Sequence, residues 1–158
     1  MSIPRGFDSF REMIHYPPER TDGSETEDSK LKTVFIVDDN NVNLMAADEA
    51  LSKYYRVFTL PSPKSMFELL SDIKPDLILM DILMPEMDGF EALKHLKADE
   101  KNADIPVIFL TSRNDEPTET LGLEMGAVDF ISKPFSRPIL INRIKIHLML
   151  EDYVKGRV

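Results

Sequence analysis

The chain has 158 residues, 42% hydrophobic and 30% charged, which suits one globular domain with a modest extension rather than two domains. Its formal charge of -9 comes from four basic and seven acidic residues in 1–30 and fifteen basic and twenty-one acidic residues after them. Acidic surfaces of this kind repel phosphate backbones and anionic lipid, so protein partners are expected in place of direct nucleic-acid or membrane-surface binding, and with no cysteine there are no disulfides, thiolate metal sites or thiol catalysis.

The amino terminus, MSIPRGFDSF, has no positive stretch followed by an apolar one, and the longest apolar run, LILMDILM, is split by Asp81 and too short to span a bilayer. A soluble, cytoplasmic protein is expected. Phe7, Phe10, Met13 and Ile14 stand at helical spacing, so residues 7–15 read either as a short amphipathic helix that docks on a surface or as a frayed tail. Residues 17–30, PPERTDGSETEDSK, carry Pro, Ser, Thr and acidic groups with no aliphatic side chain to bury, and read as a linker. Residues 1–30 are thus extension and linker, and residues 31–158 the domain.

Five short apolar runs follow: TVFIV (33–37), RVFTL (56–60), DLILM (76–80), PVIFL (106–110) and AVDFI (127–131). Several are apolar at consecutive positions, the mark of parallel strands buried on both faces by helices. Segments with helical periodicity lie between them near 41–53, 63–73, 89–98 and 115–125, and a long last helix is predicted over 137–154. Pro75, Pro106 and Gly126 stand at or just before strands and stop the preceding segment from continuing as helix. Alternating strand and helix give a doubly wound α/β domain with a five-stranded parallel sheet flanked by five helices. In such a sheet functional groups gather at the carboxyl ends of strands, near the reversal of strand order.

That rule singles out Asp38 and Asp39 after the first run, Asp81 after the third, Thr111 after the fourth and Lys133 just beyond the fifth. Each alone reads as an ordinary loop residue. Together they make chemical sense, because carboxylates aimed at one spot repel unless a cation lies between them, and an all-oxygen site suits Mg2+. Asp81 stands alone on its strand end, where its carboxylate can act both as ligand and as nucleophile toward phosphorus, giving an acyl phosphate. A metal and the Lys133 ammonium would share the charge on the phosphoryl oxygens, with the Thr111 hydroxyl donating a hydrogen bond.

Four stretches resemble the receiver domain of two-component response regulators: Val37-Asp38-Asp39-Asn40, Asp81 with ILMPEMDGF, Phe109-Leu110-Thr111-Ser112, and Ser132-Lys133-Pro134-Phe135. They occur in family order and spacing over about residues 32 to 150. The resemblance implies a flavodoxin-like sheet of strand order 2-1-3-4-5, and Mg2+-dependent phosphoryl transfer to Asp81 from a sensor histidine kinase or phosphotransfer protein. It implies that Asp39 ligates the metal directly, that Asp38 acts mostly through water, and that the main-chain carbonyl of Leu83 is a further ligand. It implies that Thr111 follows the phosphoryl group inward, that Phe130 turns between exposed and buried positions, and that the Lys133–Pro134 bond is cis. Leu83 and Arg113 match positions that tune the access of water; Leu83 cannot orient an attacking water, so a long-lived phosphorylated form is expected. Ser112 replaces a smaller residue and leaves room for the phosphoryl group.

The glycine of Met87-Asp88-Gly89-Phe90 reads as permitting the backbone turn into the third helix, or as an ordinary helix-start glycine. His15, His95 and His147 show no metal-ligand or triad spacing, and Met80, Met84 and Met87 read as core and loop packing. The last helix has more apolar positions than one stripe needs. Ile146, Met149, Leu150 and Tyr153 would stay uncovered unless a homodimer or a following coiled coil covers them; a wide core stripe is the alternative. VDDNNVNL and IKIHL resemble receivers linked to cyclic-dinucleotide enzymes or hybrid kinases. An interaction module independent of phosphorylation is the alternative function, against which the complete acidic site argues. A phosphatase acting on small substrates would need an acid-base residue where Leu83 stands.

Overall fold

The structure, a computed structural model, describes residues 31–112 and 115–156. The amino-terminal helix and linker read from the sequence, and Arg113, lie outside the described residues. Five strands, β1 (Thr33–Val37), β2 (Arg56–Leu60), β3 (Leu77–Met80), β4 (Val107–Thr111) and β5 (Asp129–Ser132), form one parallel sheet of order β2-β1-β3-β4-β5. Between and after them run α1 (Asn41–Leu51), α2 (Pro63–Leu70), α3 (Gly89–Ala98), α4 (Glu116–Glu124) and α5 (Arg137–Val154).

Local chemistry sets where the helices begin. The side chains of Asn40, Ser62, Asp88 and Asp115 accept hydrogen bonds from main-chain N–H groups in the first turns of α1 to α4, satisfying donors that a helix start leaves unpaired. Pro63, Pro117 and Pro138 stand in the first turns of α2, α4 and α5, where a missing N–H costs nothing. At the far end of α4, Gly126 takes φ +110, a conformation open to glycine, and turns the chain toward β5.

The strands bury both faces because successive side chains point to opposite sides. Phe35 and Val37 of β1 join Phe58, Met66, Ile78, Leu93 and Phe109 in a cluster under α2 and α3. Val34 and Ile36 join Leu44, Leu51, Leu79, Ile108, Leu140 and Leu148 under α1 and α5. Each such side chain contributes about 1.5–3 kcal/mol on burial, so truncating Leu79 to Ala would cost about 2–5 kcal/mol.

Several boundaries differ from the sequence reading by one to three residues. α1 and α2 end at Leu51 and Leu70, ahead of 53 and 73, because the Leu51 and Leu69 carbonyls accept N–H bonds from Tyr54 and Tyr55 and from Asp72 and Ile73 in closing turns. β5 begins at Asp129, since the Ala127 N–H is still tied to the Gly122 carbonyl of α4. Thr111 is the last residue of β4 and not the residue after it.

Candidate functional site

β1 lies beside both β2 and β3, at the place where the chain reverses strand order, and its continuation is held on both sides. The Asp38 N–H donates to the Leu60 carbonyl at 3.1 Å, and the Asp81 N–H donates to the Val37 carbonyl at 2.9 Å. Those two bonds extend the ladders by one residue and set the carboxylates side by side. Asp38 is 2% exposed and Asp81 8%. Asp38 Oδ1 accepts the Asn40 N–H at 2.9 Å, and Asp81 Oδ1 accepts the Ile82 N–H at 2.8 Å, so one oxygen of each is fixed by its own loop.

Lys133 arrives from the other side of the sheet. Its N–H donates to the Thr111 carbonyl at 3.0 Å, and the peptide bond to Pro134 is cis. The long side chain reaches past β4 to place Nζ 2.5 Å from Asp38 Oδ2 and 3.1 Å from Asp81 Oδ2. Asp39 is exposed, yet one of its carboxylate oxygens, one of Asp38 and one of Asp81 lie within 4.8 Å of one another. At a separation of about 4 Å, two carboxylates repel by about 4 kcal/mol at an effective dielectric of about 20. One ammonium does not offset three carboxylates. The set of hard oxygen donors with residual negative charge fits a divalent cation of the Mg2+ type.

Thr111 is fully buried at the end of β4, in register with Ser132 of β5. Phe130 is half-buried, its ring 5.2 Å from that of Phe109, and it lies against Gly122 of α4. Leu83 is exposed. The loop from Asp81 to α3 turns through Glu86 at φ 69, whereas Gly89 has no positive φ and is the first residue of α3, so of its two sequence readings the helix-start one holds and the special backbone turn does not. Glycine is needed at 89 for closeness. A Cβ there would lie 2.4 Å from the Asp81 carbonyl oxygen and 2.8 Å from the Ile82 Cα, and the Gly89 N–H donates to the Ile82 carbonyl at 2.7 Å. Met80 is fully buried, and Met84 and Met87 pack on the core.

A sequence profile of the response regulator receiver domain matches residues 34–145. The chain belongs to the response regulator receiver family. These domains are phosphoacceptor switches of two-component signalling that bind Mg2+ at an acidic pocket and interact with histidine kinases and output domains, and this receiver carries the aspartate cluster. It is 42% identical over 122 residues to a probable cyclic di-GMP phosphodiesterase of Vibrio cholerae, covering 77% of this chain and 28% of that protein. It is 39% identical over 115 residues to the phosphate regulon transcriptional regulatory protein PhoB of Pseudomonas aeruginosa, covering 72% of this chain and 50% of that one. The receiver therefore spans about half or less of the length of these relatives, whose further activities are their own. Among solved structures, a putative response regulator from Chloroflexus aurantiacus matches with a TM-score of 0.72 at 28% identity, over 76% of this chain and 99% of that one. The signal receiver domain of a histidine kinase from Syntrophus aciditrophicus matches at 0.69 and 34%, over 75% and 90%.

Two groups in this receiver escaped the sequence reading. Gly122 makes the slot for Phe130, and a glycine inside a helix, costly by about 1 kcal/mol, was the available signal. Asp129 binds Arg143 Nη1 through both oxygens at 3.1 and 3.0 Å and His147 Nε2 at 3.0 Å, and it accepts the Phe130 N–H at 2.8 Å. Burial pushes the Asp129 carboxyl up, but the bonds from His147, the Phe130 N–H and Arg143 outweigh it and hold the pKa below the usual range. His147 is thus tied to β5. His95 sits exposed with its ring edge-on to Phe67. On α5, Leu140, Ile144 and Leu148 are buried, while Ile146, Met149, Leu150 and Tyr153 face outward, Met149 at 60% and Tyr153 at 77% exposure. Among the described residues no helix is long and apolar enough to cross a membrane.

Proposed function

We propose that Asp81 accepts a phosphoryl group from a sensor histidine kinase or phosphotransfer protein in the cytoplasm, and that this switches a protein-binding surface. The convergence of Asp38, Asp39, Asp81 and Lys133 on one spot carries the reading. A carboxylate oxygen of Asp81 forms a bond to phosphorus as the phosphorus–nitrogen bond of the donor phosphohistidine breaks, and the electron pair returns to the imidazole. Lys133, already 3.1 Å from Asp81 Oδ2, stays beside the oxygens that gain charge. Asp39, Asp81 and the Leu83 carbonyl would hold Mg2+, with Asp38 acting mostly through water, and the ion would supply positive charge for the phosphoryl oxygens. Thr111 donates its hydroxyl inward, and Phe130 follows it. Leu83 offers no group to orient water, which favours a long-lived phosphorylated form.

The output surface is the outward side of α5, where Ile146, Met149, Leu150 and Tyr153 pair with a second copy in a homodimer. A phosphorylation-independent module would have no need of a lysine drawn across the sheet to two buried carboxylates.

Mass spectrometry after incubation with a small phosphodonor and Mg2+ tests the chemistry. One added phosphoryl group is expected on the wild type and none on Asp81→Asn, since an amide lacks the nucleophilic charge. Unlabelled wild type, or a fully labelled variant, would overturn the assignment.

A further inference from the structure

Beside the acceptor loop, α2 and residues 85–87 enclose a groove of about 570 Å3 that the chemistry above does not use. Its apolar surface includes Phe67 and Met87, and its charged groups are Glu68, Glu86 and Glu91 against Lys64 alone. Glu68 Oε2 is buried and has no hydrogen-bond partner among the described residues. A carboxylate oxygen removed from water without a partner is costly, so the site favours a cation. A guanidinium fits best, because its planar fork can pair with carboxylates while its aliphatic stem lies on apolar side chains.

The chain carries such a group outside the described residues. Arg11 lies between the apolar Phe10 and Met13, with Glu12 next to it and Asp8 in the same segment, whereas the linker over 17–30 has five acidic and two basic residues and no aliphatic or aromatic side chain for the apolar surface. Reach is sufficient. β1 carries the chain about 17 Å up the sheet, and fourteen linker residues span about 46–50 Å extended or about 20 Å as a flexible coil. Such a tether presents the segment at an effective concentration on the order of millimolar, enough for weak docking without a second molecule.

We propose that this groove is the docking site of the chain's own amino-terminal segment, with Arg11 set against Glu68, Glu86 and Glu91 and with Phe10 and Met13 on Phe67 and Met87. Docking holds residues 85–87, part of the loop that follows Asp81, and so connects the extension to the acceptor.

Limited trypsin digestion of the full chain, read by mass spectrometry, tests it. At millimolar effective concentration an intrinsic dissociation constant of about 0.1–1 mM gives roughly two- to tenfold protection of the Arg11–Glu12 bond. Glu68→Gln and the exposed Glu86→Lys should each remove it, with phosphodonor labelling of Asp81 reporting that the fold is intact. As the chain has no cysteine, Met13→Cys with Ser71→Cys gives a unique pair. Its intrachain disulfide should form readily, fall severalfold with Arg11→Glu and return with Arg11→Glu combined with Glu86→Arg. Equal cleavage in wild type and both variants, an intrachain yield indifferent to these charges, or disulfides formed only between copies would each overturn the proposal.

Discussion

The ring of Phe130 fills the space that a side chain on Gly122 would need: a Cβ at 122 would lie 2.4 Å from Phe130 Cζ and 2.7 Å from Cε2. Gly122→Ala gains about 1 kcal/mol of helix propensity and loses about 1–3 kcal/mol to overpacking, for a net loss of about 1 kcal/mol. In a Phe130→Ala background only Phe109 Cε2, at 3.3 Å, stays close to the added Cβ, and the same change should stabilise by up to about 1 kcal/mol. Denaturant titration of the four proteins in this cycle checks the reversal of sign; destabilisation of equal size in both backgrounds would remove Phe130 as the cause.

Asp129 gives the fold a defined acid limb. Its folded pKa lies below the unfolded value, so its contribution is complete above about pH 5 and is lost as pH falls through the folded pKa. Asp129→Asn should flatten the fall in stability below about pH 4. Asp104, lowered by its hydrogen bond from Lys74 against the opposing effect of burial, leaves a residual slope. Urea unfolding from pH 3 to 7 separates wild type from Asp129→Asn; identical pH slopes for the two would contradict the pairing.

Magnesium affinity should depend on Asp39 more than on Asp38. Asp38 already has Lys133 on one oxygen and the Asn40 N–H on the other, whereas Asp39 is exposed within reach of both buried carboxylates. Titration followed by NMR is expected to show about tenfold or greater loss for Asp39→Ala and a smaller loss for Asp38→Ala. Equal losses would withdraw the direct-ligand role from Asp39.

Saturation of the acceptor with beryllofluoride and Mg2+ should promote self-association through α5, and Met149→Glu should block it without affecting Asp81 labelling. The mimic can act only by binding the dimer-competent form more tightly. Sedimentation velocity decides this. Wild type that stays monomeric at about 100 μM leaves association weaker than about 5.5 kcal/mol and frees the outward side of α5 for another partner.

What the sequence disclosed follows from how each feature is encoded. Runs such as LILM and VIFL are apolar at every position because both faces of their strands are covered, and that pattern is local. Asp38, Asp81 and Lys133 could be gathered on paper because a parallel sheet puts all its strand ends on one side. The Asp129–Arg143–His147 group was hidden, since its members are 14 and 18 residues apart and nothing in their types demands pairing. Gly89 is legible as a helix-start glycine, but its closeness to the Asp81 carbonyl depends on how α3 meets β3, which no local pattern records. The ends of α1 and α2 were misplaced where neither Gly nor Pro marks the stop.

The contact between Lys133 and Asp38 joins residues 95 apart in sequence, with four strands threaded between them. During synthesis, a ribosome must therefore complete β5 before Asp81 has its ammonium, although Asp81 itself emerges 52 residues ahead of Lys133. The proposed acceptor site is complete only once the last strand of a sheet built on long-range parallel pairing is in place. A nascent chain stopped between β4 and β5 has the carboxylates without their ammonium, so the charge balance of the site doubles as a report that the whole sheet has been made.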